Sequence, residues 1–371
     1  MNKKKRLFFN GLNELRAIAA LSVLVHHVEL YKYKSKLHSL YDFGGYMRSF
    51  ISDLGNNAVY LFFVLSGFLI TYLLIEEKNE TGKISIYKFY GRRILRIWPL
   101  YFIVVIIGFW LLPFLYENFT SFFQEQYFYN QRIESLIYDG NLVLYLFFMS
   151  NIALVLYGPV AGSAHSRSVS VEEQFYVVWP WIIKLFYKNL LEVLLLIIFG
   201  GILFKYAFPE TLIKKLYSVS KIDFMAIGAL FAYIYRYHKE KLILLLKKKV
   251  FLIILIISIV AHLFFEITST TQALTFGLLI VCCIEWNFKV SILSYLGKLS
   301  YGIYMYHPLM MYLSFSIMNK LNIYNSMSYN VLVYSLVLGL TFLASYVSYN
   351  YIELFFLKIK SKFSPIKSGN S

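Results

Sequence analysis

Charge is what this 371-residue sequence has least of: Asp, Glu, Lys and Arg together make up 15% of it, where soluble domains carry about a quarter. A soluble chain of this length cannot clothe its surface with so few charges. Proline is scarce too, at 7 residues, and the 19 glycines follow no period, so collagen-like and low-complexity readings fall away. The two cysteines, Cys282 and Cys283, are adjacent inside an apolar stretch. They cannot form a disulfide framework and say little about redox compartment. No metal site is expected.

What the sequence does have is apolar residues, at 59%, with aromatics at 19%. That excludes intrinsic disorder, which needs low hydrophobicity, and leaves an all-α polytopic membrane protein. The formal charge of +16 would suggest nucleic acid in a soluble protein. Here the basic clusters sit beside long apolar runs, so cytoplasmic loops and anionic lipid are the better explanation, and no nucleic acid is expected. The start Met-Asn-Lys-Lys-Lys-Arg resembles the front of a signal peptide. However, Glu14 and Arg16 interrupt the apolar run and no small-x-small cleavage site follows His27, so a retained first span is expected.

A helical span needs about 20 mostly apolar residues. Eleven candidates meet that pattern, near 12–30, 57–76, 94–115, 141–157, 172–187, 190–207, 222–237, 250–266, 270–286, 293–318 and 329–356. The segment 141–157 is short and ends at Gly158-Pro159. If it does not cross, 24 basic residues fall inside and 11 outside, with Arg16 inside the first span. Counting it as a full span would put Lys247–Lys249 outside, against the positive-inside rule. About ten spans are therefore expected in the cell membrane, both termini cytoplasmic, with 141–157 re-entrant or a short helix. Residues 1–357 form one integral-membrane domain, and 358–371 a short basic cytoplasmic tail. In 83–93, Ile84, Tyr87, Tyr90 and Ile94 recur at three- and four-residue steps with Lys88 and Arg92 on another face, the pattern of an interfacial helix.

Ionisable groups inside a bilayer are costly, so each one is a functional candidate. Arg16 and His27, 11 residues apart in the first span, lie on nearly one helical face about 16 Å apart along the axis; His26 points elsewhere. Arg93 and Arg96 are an i, i+3 pair that repel unless an anion lies between them, and guanidinium forks suit phosphate oxygens. Two carboxylates, Glu172 and Glu173, open an apolar helix after Ser168-Val169-Ser170-Val171; an N-terminal cap explains one of them but not both. Asp223 and His307 are weaker points, explicable as a cap or an interhelical hydrogen bond, and Ser66-Gly67 as close helix packing.

Taken together, Gly11–His27, Leu61–Thr71, the Arg92–Arg96 stretch, Ser168–Pro180, Asp223–Gly228 and Gly297–Pro308 resemble, in order along nearly the whole chain, the acyltransferase-3 family of membrane O-acyltransferases. The resemblance implies transfer of an acyl group, most simply acetyl, from cytoplasmic acyl-CoA to a hydroxyl of an extracytoplasmic or lipid-linked glycan. By position, His27 matches the family's catalytic histidine and Arg16 its basic partner, expected to guide the acyl-CoA donor. Arg93 and Arg96, with Arg92 beside them, match the stretch associated with the acyl-CoA donor, and Glu172 and Glu173 the acidic helix start; these two carboxylates are expected in the catalytic site, one orienting the His27 imidazole or holding its cation. Arg167 stands where the family commonly has Trp, a departure on the acceptor side. Some relatives carry a fused extracytoplasmic hydrolase-like domain; here little sequence follows the last span, so action alone or with a separate partner is expected.

The chemistry is coherent without the family. Acyl transfer to an alcohol needs a base of near-neutral pKa, the natural role of histidine, and CoA phosphates need a cationic dock. The competing class is a flippase or transporter for a glycan or lipid-linked intermediate, which also has many spans and buried charges. Paired half-spans interrupted by Gly or Pro would favour it, and no such internal symmetry is visible in the sequence.

Overall fold

The computed structural model describes residues 6–7, 9–119, 139–207, 211–247, 249–264, 269–321, 327–363 and 367–368. Lys3–Lys5, residues 265–266 of the span expected at 250–266, and residues 364–366 and 369–371 of the basic tail lie outside them. The described chain is helical almost throughout. The helices are α1 (Leu12–Lys34), α2 (Gly45–Thr81), α3 (Ile86–Ile106), α4 (Leu112–Asn118), α5 (Asp139–Leu146), α6 (Ser150–Tyr157), α7 (Arg167–Leu185) and α8 (Leu190–Ala207). They continue with α9 (Leu212–Ser220), α10 (Ile222–Tyr237), α11 (Lys239–Leu246), α12 (Lys249–Phe264), α13 (Ser269–Glu285), α14 (Ser291–Lys320), α15 (Met327–Ser348) and α16 (Leu354–Lys360). Arg6–Leu7 pairs in parallel with Lys367–Ser368, a two-residue bridge.

Among the described residues, five helical stretches are long and apolar enough to cross a membrane: Gly45–Thr81, Ile86–Asn118, Tyr187–Lys205, Leu212–Tyr237 and Ser328–Phe363. Helices α1 and α14, at 23 and 30 residues, are long enough, but no stretch of either is as apolar as these five. Much of their polar character is turned inward. Glu14, Glu29 and Lys32 of α1 are buried, as are Ser300, His307 and Ser314 of α14. Helices that turn charge towards protein need not be hydrophobic all round, and these two lie at the centre of the bundle.

Small residues bring the central helices together. A methyl group added at Gly297 would collide with the backbone of Asn13, and one at Gly67 or Gly228 with the carbonyl of Met225 or Val64. Backbones can approach this closely only where a side chain is missing. The α1–α14 and α2–α10 contacts are made this way, and the first of them carries the site.

Two expected segments take different forms. Residues 141–157 are not one helix but α5 and α6, eight residues each, separated by a turn in which Phe148 has φ 56°. Each is about 12 Å long at 1.5 Å per residue, far short of the ~30 Å apolar core. No separate interfacial helix exists at 83–93. The chain from Ile86 runs as one helix to Ile106 and on through a π-helical turn, Ile107–Leu111, into α4. Nothing between Arg93 and Trp98 breaks the backbone hydrogen bonding, and Pro99 is accommodated inside the helix. The amphipathic face seen in the sequence is therefore the opening of a longer helix. The C-terminal basic segment is likewise helical, as α16 to Lys360 and a 3₁₀ turn over Ser361–Phe363.

Candidate active site

Two cavities lie along α1 and meet at Tyr304, which lines both. The first, about 200 Å³, takes Arg16 from α1, Arg93 and Arg96 from α3, Glu172 and Tyr176 from α7, and Lys360 from α16. Four cationic side chains thus face one carboxylate. Arg93 and Arg96 enter together because i and i+3 share a helical face. Arg92, one residue and about 100° away, does not line this cavity. Its guanidinium donates to Glu77 Oε2 at 3.0 Å and to the Phe363 carbonyl at 2.9 Å. Of the four arginines grouped by sequence as donor-binding, Arg16, Arg93 and Arg96 reach the cavity, and Arg92 ties α3 to α2 and the C-terminal segment.

The aromatic ring of Tyr176 and that of Phe89 lie 5.4 and 5.7 Å from the Arg93 guanidinium, within the range of cation–π attraction. The Tyr176 hydroxyl donates to Glu172 Oε2 at 2.6 Å, and the Trp98 indole N–H donates to Glu173 Oε2 at 3.0 Å. The two adjacent carboxylates therefore split. Glu172 points into the arginine cavity, while Glu173 is buried against α3. Among the described contacts, neither carboxylate meets His27. The sequence placed them beside the imidazole, a placement set by the rotation of α7 about its axis, which sequence spacing leaves open.

The second cavity, about 290 Å³, is lined by His26, His27, Asn56, His165, Arg167 and Tyr304, among others, with no carboxylate among the described residues of its lining. Four of the seven histidines of the chain gather here. His27 Nδ1 lies 2.8 Å from His307 Nε2, and their rings stack at 5.0 Å with planes 22° apart. His307 Nδ1 lies 2.7 Å from the Tyr304 carbonyl, and His165 Nε2 lies 3.0 Å from the Met305 carbonyl. His26 turns aside, with Nδ1 3.0 Å from the Ile51 carbonyl and 3.3 Å from the Tyr41 hydroxyl. Among the described residues, no group of three His, Cys, Asp or Glu side chains is arranged to hold a metal ion.

The wall between the cavities is polar. The Tyr304 hydroxyl is 2.7 Å from Ser168 Oγ and donates to the His165 carbonyl at 3.0 Å. Ser168 lines the arginine cavity, and its neighbour Arg167 the histidine cavity. Arg16 and His27 thus stand in different chambers of one helix, with Tyr304 between them.

Sequence reasoning missed His165, Tyr304 and Lys360 and ranked His307 low. His165 left a signal, a histidine two residues before Arg167 at the entry to a helix already singled out. Lys360 left none, because a lysine after a last span is explained by topology alone.

With this geometry in place, comparison with known proteins is informative. The acyltransferase-3 family, described as an acyltransferase domain, matches residues 9–350. The chain is similar to the O-acetyltransferase OatA of Staphylococcus aureus strain NCTC 8325 / PS 47. The two are 25% identical over 381 residues, an alignment covering 93% of this chain and 57% of the relative. The OatA of strain COL matches to the same extent. The chain therefore spans little more than half the length of these curated relatives. No solved structure matches it. A family match over nearly the whole chain, on a bundle with arginines gathered in one chamber and histidines in the next, has one consequence: the chain belongs to the acyltransferase-3 family.

Proposed function

We propose that the protein is a membrane O-acetyltransferase that takes acetyl from acetyl-CoA in the arginine cavity and gives it to a hydroxyl in the histidine cavity. The observation that carries this reading is the shared wall. A cationic chamber suited to a phosphorylated donor adjoins a chamber lined by His27, and Tyr304 borders both. The acceptor in this proposal is a glycan or lipid-linked saccharide; the relatives' names as O-acetyltransferases support acetyl transfer to an oxygen.

His27 takes the proton from the acceptor hydroxyl as its oxygen attacks the thioester carbonyl. The C–S bond then breaks, and the CoA sulfur leaves with the proton held by His27. The products are an O-acetyl ester and free CoA thiol, and the imidazole is neutral again. Arg16, Arg93 and Arg96 hold donor phosphates, and Glu172 fixes the arginine side of the site. Glu173, buried beside it, shares that role.

The split of 24 basic residues against 11 supports ten spans with both termini cytoplasmic, residues 141–157 entering without crossing, and a donor delivered from the cytoplasm. In intact cells a membrane-impermeant thiol reagent should then fail to label a Lys247→Cys variant; labelling there would overturn the orientation. For the reaction itself, purified protein in nanodiscs should release CoA from acetyl-CoA faster when a surface-glycan acceptor is added. Mass spectrometry of glycan from deletion cells should show lost O-acetyl groups. CoA release indifferent to acceptor, with glycan acetylation intact in the deletion strain, would reject the proposal and return the transporter reading.

A further inference from the structure

We infer that His307 is a positioning residue that, with Pro308, fixes the tautomer of His27 and leaves its Nε2 lone pair facing the acceptor cavity. The inference rests on the reading of His27 as the base and goes beyond it by saying what makes that nitrogen basic.

A proline has no N–H, so Pro308 inside α14 cannot donate to the carbonyl four residues earlier, that of Tyr304. A buried carbonyl without its helical donor takes another partner. His307 Nδ1, 2.7 Å away, supplies it, and the Ile303 carbonyl lies 3.2 Å from the same nitrogen. A carbonyl only accepts, so His307 Nδ1 carries the hydrogen.

The other ring nitrogen follows by elimination. Among the described contacts no carboxylate meets the His27, His165 or His307 ring, and the permanent charge of the chamber lining is the cation Arg167. A buried imidazolium there would have no counter-charge, so His307 is neutral and its Nε2 is a lone pair. That lone pair faces His27 Nδ1 at 2.8 Å, and a hydrogen bond between them requires the hydrogen on His27 Nδ1. In neutral His27, Nε2 is then the acceptor. A proton gained there during the reaction makes Nδ1–H a stronger donor, and His307 Nε2 already stands in place to receive it. His165 packs at 65° against the His307 ring and donates to the next carbonyl, Met305, which limits rotation of His307 from the other side. The usual orienter in such an arrangement is a carboxylate; here a proline-freed carbonyl acting through a second histidine serves instead, and no charge is buried.

The test combines a spectrum with variants of His27, His307 and Pro308. Nitrogen-15 NMR of histidine-labelled wild-type protein in nanodiscs, with the His27 signal assigned by its loss in His27→Gln, should read the Nδ1–H tautomer. His307→Leu fills the space but accepts nothing. It should lower kcat by about 10²-fold, within the 10²–10⁴ range for losing a positioned base, with the KM for acetyl-CoA unchanged. His307→Gln offers an oxygen to His27 Nδ1 and should regain much of that rate. Pro308→Ala restores an amide N–H that competes for the Tyr304 carbonyl and should cost less than His307→Leu. A position that only fills space would rank Leu above Gln, the opposite order. An Nε2–H signal for His27 in wild type overturns the inference even if every variant misfolds, as does full kcat in His307→Leu. If wild type shows Nδ1–H but His27→Ala still transfers acetyl, the lock stands and the base assignment falls.

Discussion

The arginine and histidine cavities meet at one tyrosine yet are built by opposite means. The first is furnished with fixed charge. Arg16, Arg93, Arg96 and Lys360 converge from α1, α3 and α16, and their carboxylate neighbours are held by Tyr176 and Trp98. The second is furnished with lone pairs, on rings tied to backbone carbonyls. The difference follows from what each chamber handles in the proposed reaction. Phosphate groups keep their charge throughout, so permanent cations suit them. A proton changes hands once per turnover, so its carrier must start neutral, and a carbonyl steers an imidazole without charging it.

The comparison is broken most severely at His27. His27→Ala should lower acetyl transfer by roughly 10²–10⁴-fold, the usual cost of a lost general base, while acetyl-CoA binding stays as it was. His26→Ala should do far less, because that ring points to the Ile51 carbonyl and the Tyr41 hydroxyl. Rates and donor binding measured on both folded variants decide the matter. Near-normal transfer by His27→Ala would leave the second chamber without its proposed purpose.

Next in size is the donor side. Charge-assisted contacts are worth about 1.5–3 kcal/mol each, so Arg96→Ala should raise the acetyl-CoA requirement about tenfold or more with little change in saturated turnover. Arg96→Lys should recover part of it, since charge returns without the planar fork. Unchanged donor affinity in the Arg93→Ala, Arg96→Ala double variant would make these arginines topological.

How far the sequence reached divides along the same line. Ten of the eleven apolar runs coincide with helices, because a run of that length has few other ways to satisfy its backbone in lipid. Arg93 and Arg96 were readable as a pair because i, i+3 geometry is local, and Arg16 and His27 as separate levels of one helix because rise per residue is fixed. The contact between His27 and His307 joins positions 280 residues apart, and no local rule links them. Nor does any local rule say which way α7 is rotated, which decides that Glu172 and Glu173 attend Tyr176 and Trp98. The merging of 83–93 into α3 was hidden because an amphipathic start looks the same whether or not the helix continues.

Glu172 sharpens the comparison with a smaller effect of opposite sign. It is the carboxylate of a cavity proposed to hold an anionic donor, so it opposes the ligand it helps to frame. Glu172→Gln keeps an oxygen to accept from Tyr176 but removes the charge. The acetyl-CoA requirement should fall, by about threefold for a charge pair across the cavity at a water-like dielectric, and turnover should change less than in His27→Ala. A fall in turnover matching His27→Ala would instead give Glu172 a direct part in the chemistry.

The smallest effect on activity is expected at Arg92, which separates the donor arginines from their neighbour. Its guanidinium pairs with Glu77, whose side chain is 3% exposed and whose other oxygen accepts from the Ser85 N–H. It also holds the Phe363 carbonyl, just beyond Lys360 of the cavity wall. Arg92→Ala strands a largely buried carboxylate, at a cost of about 1.5–3 kcal/mol for a hydrogen bond to a charged group, and frees the C-terminal segment. Thermal unfolding in detergent should therefore shift downward while the acetyl-CoA requirement of the folded enzyme rises far less than in Arg96→Ala. Arg92→Lys should restore part of the stability by keeping the ion pair to Glu77 without the second contact to Phe363. If Arg92→Ala and Arg96→Ala instead raise the donor requirement equally, all three arginines face the donor, and the boundary drawn here between bracing charge and binding charge is misplaced.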